Sequence, residues 1–78
     1  SPQTAFYAEK KAVPIRETKG MICSEFVMCY PPGIPILAPG ELITQEIIDY
    51  IIYAKEKGCS MQGMQDTEIE YLYVLSEK

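Results

Sequence analysis

Four of the chain's six prolines fall within one apolar run, MICSEFVMCYPPGIPILAPGE at residues 21–41, and they dictate what the middle of the chain can become. Each proline removes a backbone donor and fixes φ, so residues 30–40 can be neither a helix interior nor a central strand. Ahead of them, residues 21–30 carry β-branched, aromatic and sulfur side chains on both pleat faces, with Ser24 and Glu25 as the polar exceptions. That pattern predicts a fully buried strand. Ile34, Ile36, Leu37 and Ala38 keep the proline segment apolar as well. A stiff, apolar, donor-poor ribbon is poorly suited to water, which predicts an irregular proline-rich crossover pressed into a groove of protein.

The flanking segments read as a frame around this run. Residues 5–13 predict a strand, with Val13 held extended because Pro14 follows it. Pro14 then suits the first turn of a short helix near residues 15–19, which Gly20 can end. Thr44 is placed as the N-cap of the main helix, about residues 44–57. At 100° per residue Ile47, Ile48, Ile51, Ile52 and Ala54 share one face, while Glu46, Asp49, Tyr53 and Lys57 lie opposite. Gly58 can supply the left-handed residue after that helix. The stretch CSMQGMQD predicts a turn-rich connection with an extended piece around Met61. Residues 68–75 alternate Ile69, Tyr71, Tyr73 and Leu75 against Glu68 and Glu70, a half-buried strand. The sum is a single α+β domain over residues 1–78, with a small mixed sheet and one main amphipathic helix.

At 78 residues this domain is near the lower limit at which one core is enough. A formal charge of −4 and a pI near 4.6 argue against nucleic acid, whose binders present a basic face. No window approaches the ~18 uninterrupted apolar residues of a membrane span, so no membrane partner is expected. The chain opens on Ser-Pro without an initiator methionine or an apolar leader, which reads as a piece of something longer. Three cysteines, Cys23, Cys29 and Cys59, form no C-x-x-C pair and fit reduced thiols in a cytoplasmic protein. The chain has no histidine, which excludes Cys/His zinc sites and histidine-activated nucleophiles; no metal ligand set is expected.

Glu25 is the first candidate for a functional role. It is the lone charge in residues 21–30 and, on a regular strand, shares a face with Cys23, Val27 and Cys29. A buried carboxylate must find a cation or several donors, or its pKa rises. The structural alternatives are solvent contact at a sheet edge or an ion pair with Lys10, Lys11 or Arg16. Tyr30, at the mouth of the proline segment, offers a phenolic hydroxyl beside a possible site, with Cys29 next to it. The P-x-x-P spacing of Pro32 and Pro35 matches ligands of adaptor grooves, but it lies between a buried strand and a core helix, where such ligands do not sit. No lysine occupies an apolar context suited to Schiff-base chemistry, and no glycines cluster into a phosphate loop. No catalytic residue is expected within the chain itself.

The run SEFVMCYPPGIPILAPGE at residues 24–41, followed by a helix with Ile47, Ile48 and Ile51, resembles a known family. It is similar to the C-terminal domain of the pyridoxal-phosphate-dependent ornithine/lysine/arginine decarboxylases, nearest the bacterial biosynthetic arginine branch. The likeness extends upstream through Val13, Pro14, Ile15 and Gly20 and downstream to Cys59. It implies a fold-type-I lyase of polyamine biosynthesis, cytoplasmic and homo-oligomeric. Its pyridoxal phosphate would be held outside these residues, beside a histidine that this chain lacks. It further implies that the domain packs on the remainder of the decarboxylase chain and borders the active site, where Glu25, Cys29 and Tyr30 would line the approach of a small cationic amino acid. The rival readings are a non-catalytic interaction domain docking through its apolar proline segment, and a freestanding regulatory relative of the decarboxylases.

Overall fold

The computed structural model describes residues 9–30, 34–63, 66 and 68–76. Among the described residues, two antiparallel sheets, one α-helix and one 3-10 turn make up the fold. Strand β1, Lys10–Pro14, pairs with β5, Tyr71–Leu75, in the register Lys10↔Leu75 to Pro14↔Tyr71. A second sheet has the order β3-β2-β4, where β2 is Val27–Tyr30, β3 is Ile34–Leu37 and β4 is Ser60–Gln62. All these pairings are antiparallel, so the expected mixed sheet is replaced by two antiparallel ones. Of the strand expected at residues 5–13, the part before Glu9 lies outside the described residues.

The predicted buried strand at residues 21–30 is two pieces. Its first half is bracketed on both sides, with Cys23 bridged to Val74 and Ile22 to Leu42. Main-chain bonds from Leu75 N to Ile22 O (2.9 Å) and from Ile43 N to Met21 O (2.8 Å) extend the first sheet across this segment. The chain then bends at Glu25 and resumes as β2 in the second sheet. One extended run therefore serves both sheets, but it is not buried on both faces as expected, because Phe26, next to the bend, is 44% exposed.

The proline segment is also more regular than expected. Instead of an irregular crossover, residues 34–37 form the edge strand β3, Pro35 included, and only its outer side lacks a ladder. An edge tolerates a missing donor where a centre does not. Leu37 is buried opposite Val27, while Pro35 and Pro39 are exposed. Pro31 and Pro32 lie outside the described residues. The exit from β3 has Pro39 and a left-handed Gly40 (φ 94°) at the two central positions of a turn closed by Glu41 N to Ala38 O. This is the residue pair that a type II turn requires.

Helix α1, Gln45–Glu56, matches its prediction. Thr44 Oγ1 accepts from Ile47 N at 3.2 Å, Ile48, Ile51 and Ala54 are buried, and Gly58 is left-handed at φ 81°. The predicted helix at residues 15–19 shortens to one 3-10 turn, Ile15–Glu17, tied off by Thr18, whose Oγ1 donates to Ile15 O at 2.7 Å. The core gathers the helix face, Val27 and Leu37 from the second sheet, and Leu72 and Val74 from the first. Each such fully buried aliphatic side chain contributes about 1.5–3 kcal/mol relative to exposure. On β5 the buried face is the reverse of the one predicted: Leu72 and Val74 face the core, and Tyr71 is 45% exposed. The cause is the corner at Ile69, which turns left-handed just before the strand.

Candidate functional site

Glu25 sits where the chain leaves one sheet for the other. The bridge between Cys23 and Val74 makes Ser24 and Tyr73 the next ladder pair, and Ser24 N donates to Tyr73 O at 2.9 Å. The return bond in a regular antiparallel pair would run from Tyr73 N to the Ser24 carbonyl. Instead Tyr73 N donates to Glu25 Oε2 at 2.8 Å. A carboxylate oxygen thus takes the place of a main-chain carbonyl, and the main chain is free to turn away into β2. Glu25 is 92% removed from solvent, its residue exposure being 8%. Of the alternatives left open for Glu25, solvent contact is excluded by this burial, and the β5 amide is one of the donors that a buried carboxylate requires.

Beside it, Ser24 Oγ is buried and has no hydrogen-bond partner among the described residues. Cys23 is a free, fully buried thiol that donates to Glu25 O at 3.1 Å. Burial pushes its pKa up, with the nearby Glu25 charge adding to the shift, so the thiol is a poor nucleophile. Cys59 is disulfide-bonded, which corrects the expectation of three reduced thiols. Cys29 and Tyr30 occupy β2 opposite Met61 and Ser60 of β4, and their side chains lie outside the described residues.

A second feature was not singled out from the sequence. A cleft of about 540 Å³ opens between the 3-10 turn, the second half of α1 and the corner before β5. Pro14, Ile15, Ile52 and Ile69 give it an apolar lining. Arg16 and Lys55 bring positive charge, Glu17, Glu56 and Glu70 negative charge, and all five are exposed.

The corner itself is built by Asp66. Its Oδ1 accepts from Glu68 N at 3.0 Å, and its Oδ2 from Glu70 N at 2.9 Å and Tyr71 N at 3.0 Å. These bonds, the one from Glu70 foremost, hold the Asp66 carboxyl below the usual carboxylate range. Within the loop they close, Ile69 adopts φ 63°, a left-handed conformation costly for a β-branched residue, and is buried. That reversal resets the alternation, so the strand after it buries Leu72 and Val74. The legible signal was an aspartate in a turn-rich stretch, where its side chain can replace a backbone acceptor.

The lysines among the described residues, Lys10, Lys11, Lys19, Lys55 and Lys57, are all exposed. A cofactor-binding lysine needs a desolvated pocket, so these residues do not fit pyridoxal phosphate and no reaction step is assigned to them.

Fold and site together define a small two-sheet α+β domain with a preformed apolar cleft. The chain belongs to the Orn/Lys/Arg decarboxylase family, whose C-terminal domain model matches residues 2–77. It is 45% identical over 78 residues to the arginine decarboxylase of Bacillus subtilis, covering 100% of this chain and 16% of that protein. It is 46% identical over 77 residues to the arginine decarboxylase of Bacillus anthracis, covering 99% of this chain and 16% of that protein. The crystal structure of the Francisella novicida lysine decarboxylase LdcF superposes with a TM-score of 0.72 at 27% identity, over 95% of this chain and 12% of the other. The chain thus spans about a sixth of the arginine decarboxylases it matches, and the expectation drawn from residues 24–41 is met at the level of the family.

Proposed function

We propose that these residues form the C-terminal domain of a pyridoxal-phosphate-dependent decarboxylase that converts arginine to agmatine and CO2 in polyamine synthesis. The observation that carries this reading is identity of 45% across the whole chain to a protein named arginine decarboxylase. The cofactor, bound by the larger part of the enzyme, supplies the electron sink for loss of the carboxylate. The domain supplies a wall at the approach to that site. Glu25 is a positioning residue in this account: its bond to Tyr73 N sets the point at which β2 departs, and β2 carries Cys29 and Tyr30 towards the approach of the cationic substrate. A cytoplasmic homo-oligomer is the corresponding expectation for the whole protein.

The rival reading, an interaction domain docking through the proline segment, is disfavoured because β3 is already paired to β2 and buries Leu37 in its own core. The deciding experiment is CO2 release by the full-length enzyme from arginine, lysine and ornithine. The expected outcome is the highest kcat/KM for arginine. A preference for lysine or ornithine overturns the substrate, and no release from any of the three overturns the enzyme.

A further inference from the structure

We infer that Cys29 and Cys59 form a reversible thiol–disulfide couple, a covalent tie between β2 and the end of α1 that low-molecular-weight disulfides close and thiols open. The connectivity follows by elimination. The chain has three cysteines, Cys59 is disulfide-bonded and Cys23 is a free thiol, so within one chain Cys29 alone remains as the partner. The register agrees. Cys29 of β2 stands opposite Met61 of β4, and Cys59 precedes Met61 by two residues, one full period of a strand. Cys29 and Cys59 are thus diagonal neighbours on one face of the sheet, a relation in which side chains across an antiparallel pair are still within reach.

The two positions differ in access, and that sets the order of events. Cys59 is half-buried where the chain leaves α1, just after the left-handed Gly58, and its amide donates to Ala54 O at 2.9 Å. Cys29 lies in the central strand of three, paired to β3 on one side and to β4 on the other. The Cys59 thiolate therefore attacks first, on one sulfur of a small disulfide such as oxidised glutathione, and one glutathione leaves as its thiolate. The Cys29 thiolate then attacks the Cys59 sulfur of the mixed disulfide, and the second glutathione leaves. Two protein thiols and one glutathione disulfide become one protein disulfide and two glutathione thiols. Cys23 takes no part, because it is fully buried and donates to Glu25 O. Closed, the bond fastens the last turn of α1, through the anchor to Ala54, to the middle of the second sheet. Opened, it leaves that join to the short β2–β4 ladder. Disulfides of cytoplasmic proteins are characteristically transient or redox-sensing. The reversibility thus rests on the cytoplasmic enzyme proposed above, whereas the connectivity does not.

The test uses the full-length enzyme equilibrated at glutathione ratios from reducing to oxidising, with free thiols blocked by iodoacetamide before digestion and the peptides read by mass. The expected result is a Cys29–Cys59 linked peptide pair at the oxidising end and both cysteines alkylated at the reducing end, with Cys23 alkylated only after unfolding in urea. Amide exchange over residues 57–61 should be several-fold slower in the oxidised enzyme than in the reduced one, and Cys59→Ser should remove that difference. A bond from Cys59 to Cys23, or glutathione retained on Cys59 at the oxidising end, would overturn the pairing. A Cys29–Cys59 bond that survives excess reduced glutathione would overturn the reversibility, and equal exchange in the two states would overturn the tie. The linkage is read by mass and not by turnover, so CO2 release from the same preparation tests the decarboxylase reading separately.

Discussion

Replacing Glu25 with alanine removes the acceptor that stands in for a ladder carbonyl and leaves the Tyr73 amide, in the interior of β5, with nothing on that side. Hydrogen bonds to charged groups contribute ~1.5–3 kcal/mol each, and the 2.8 Å separation together with the burial of Glu25 places this one among the well-formed cases. At ~1.36 kcal/mol per tenfold, the opening equilibrium at that amide should shift by roughly tenfold to a hundredfold. Amide hydrogen exchange reads it directly, because it resolves local opening residue by residue. Tyr73 should exchange faster in Glu25→Ala by that factor. Leu75, whose amide donates to Ile22 O, should change far less. Glu25→Gln keeps an oxygen acceptor while removing the charge, and a neutral bond has about half the strength, so its effect should be intermediate. Unchanged protection of Tyr73 in Glu25→Ala would refute the idea that a side chain completes this ladder.

Two further outcomes can be checked. Asp66 has its pKa held below the ordinary 3.8, so its bonds contribute stability above that pH and lose it as pH falls through the lower folded value. In urea unfolding against pH, Asp66→Asn should be less stable than the wild type near neutrality, and the two curves should converge in acid; parallel curves would contradict this. Gly63→Ala should destabilise by more than ~1 kcal/mol in thermal unfolding, because φ is 89° and the added Cβ would stand 2.8 Å from Phe26 O. An unshifted midpoint would mean that the Gly63 turn yields freely.

What the sequence makes legible follows the range of the forces involved. Helix α1 is set by periodicity, a threonine cap and a terminal glycine, all local, and it forms as expected. The run at residues 21–30 is apolar on both faces, and composition alone cannot distinguish one buried strand from a segment shared between two sheets; the bend rests on a contact to Tyr73 far along the chain. Ile69 reverses the phase of β5 because Asp66 closes a loop around it, and an alternation count that assumes regular backbone cannot register such a reversal. For the site, burial of Glu25 could be read from its neighbours, whereas the cleft could not. Its lining comes from three segments that only the tertiary fold brings together.

The junction at Glu25 has an evolutionary consequence. A peptide carbonyl is common to every residue and cannot be mutated away, but a carboxylate belongs to a single codon. By entrusting one link between its two layers to a side chain, the protein makes the path of β2 adjustable through one substitution, with the surrounding backbone pairings left in place.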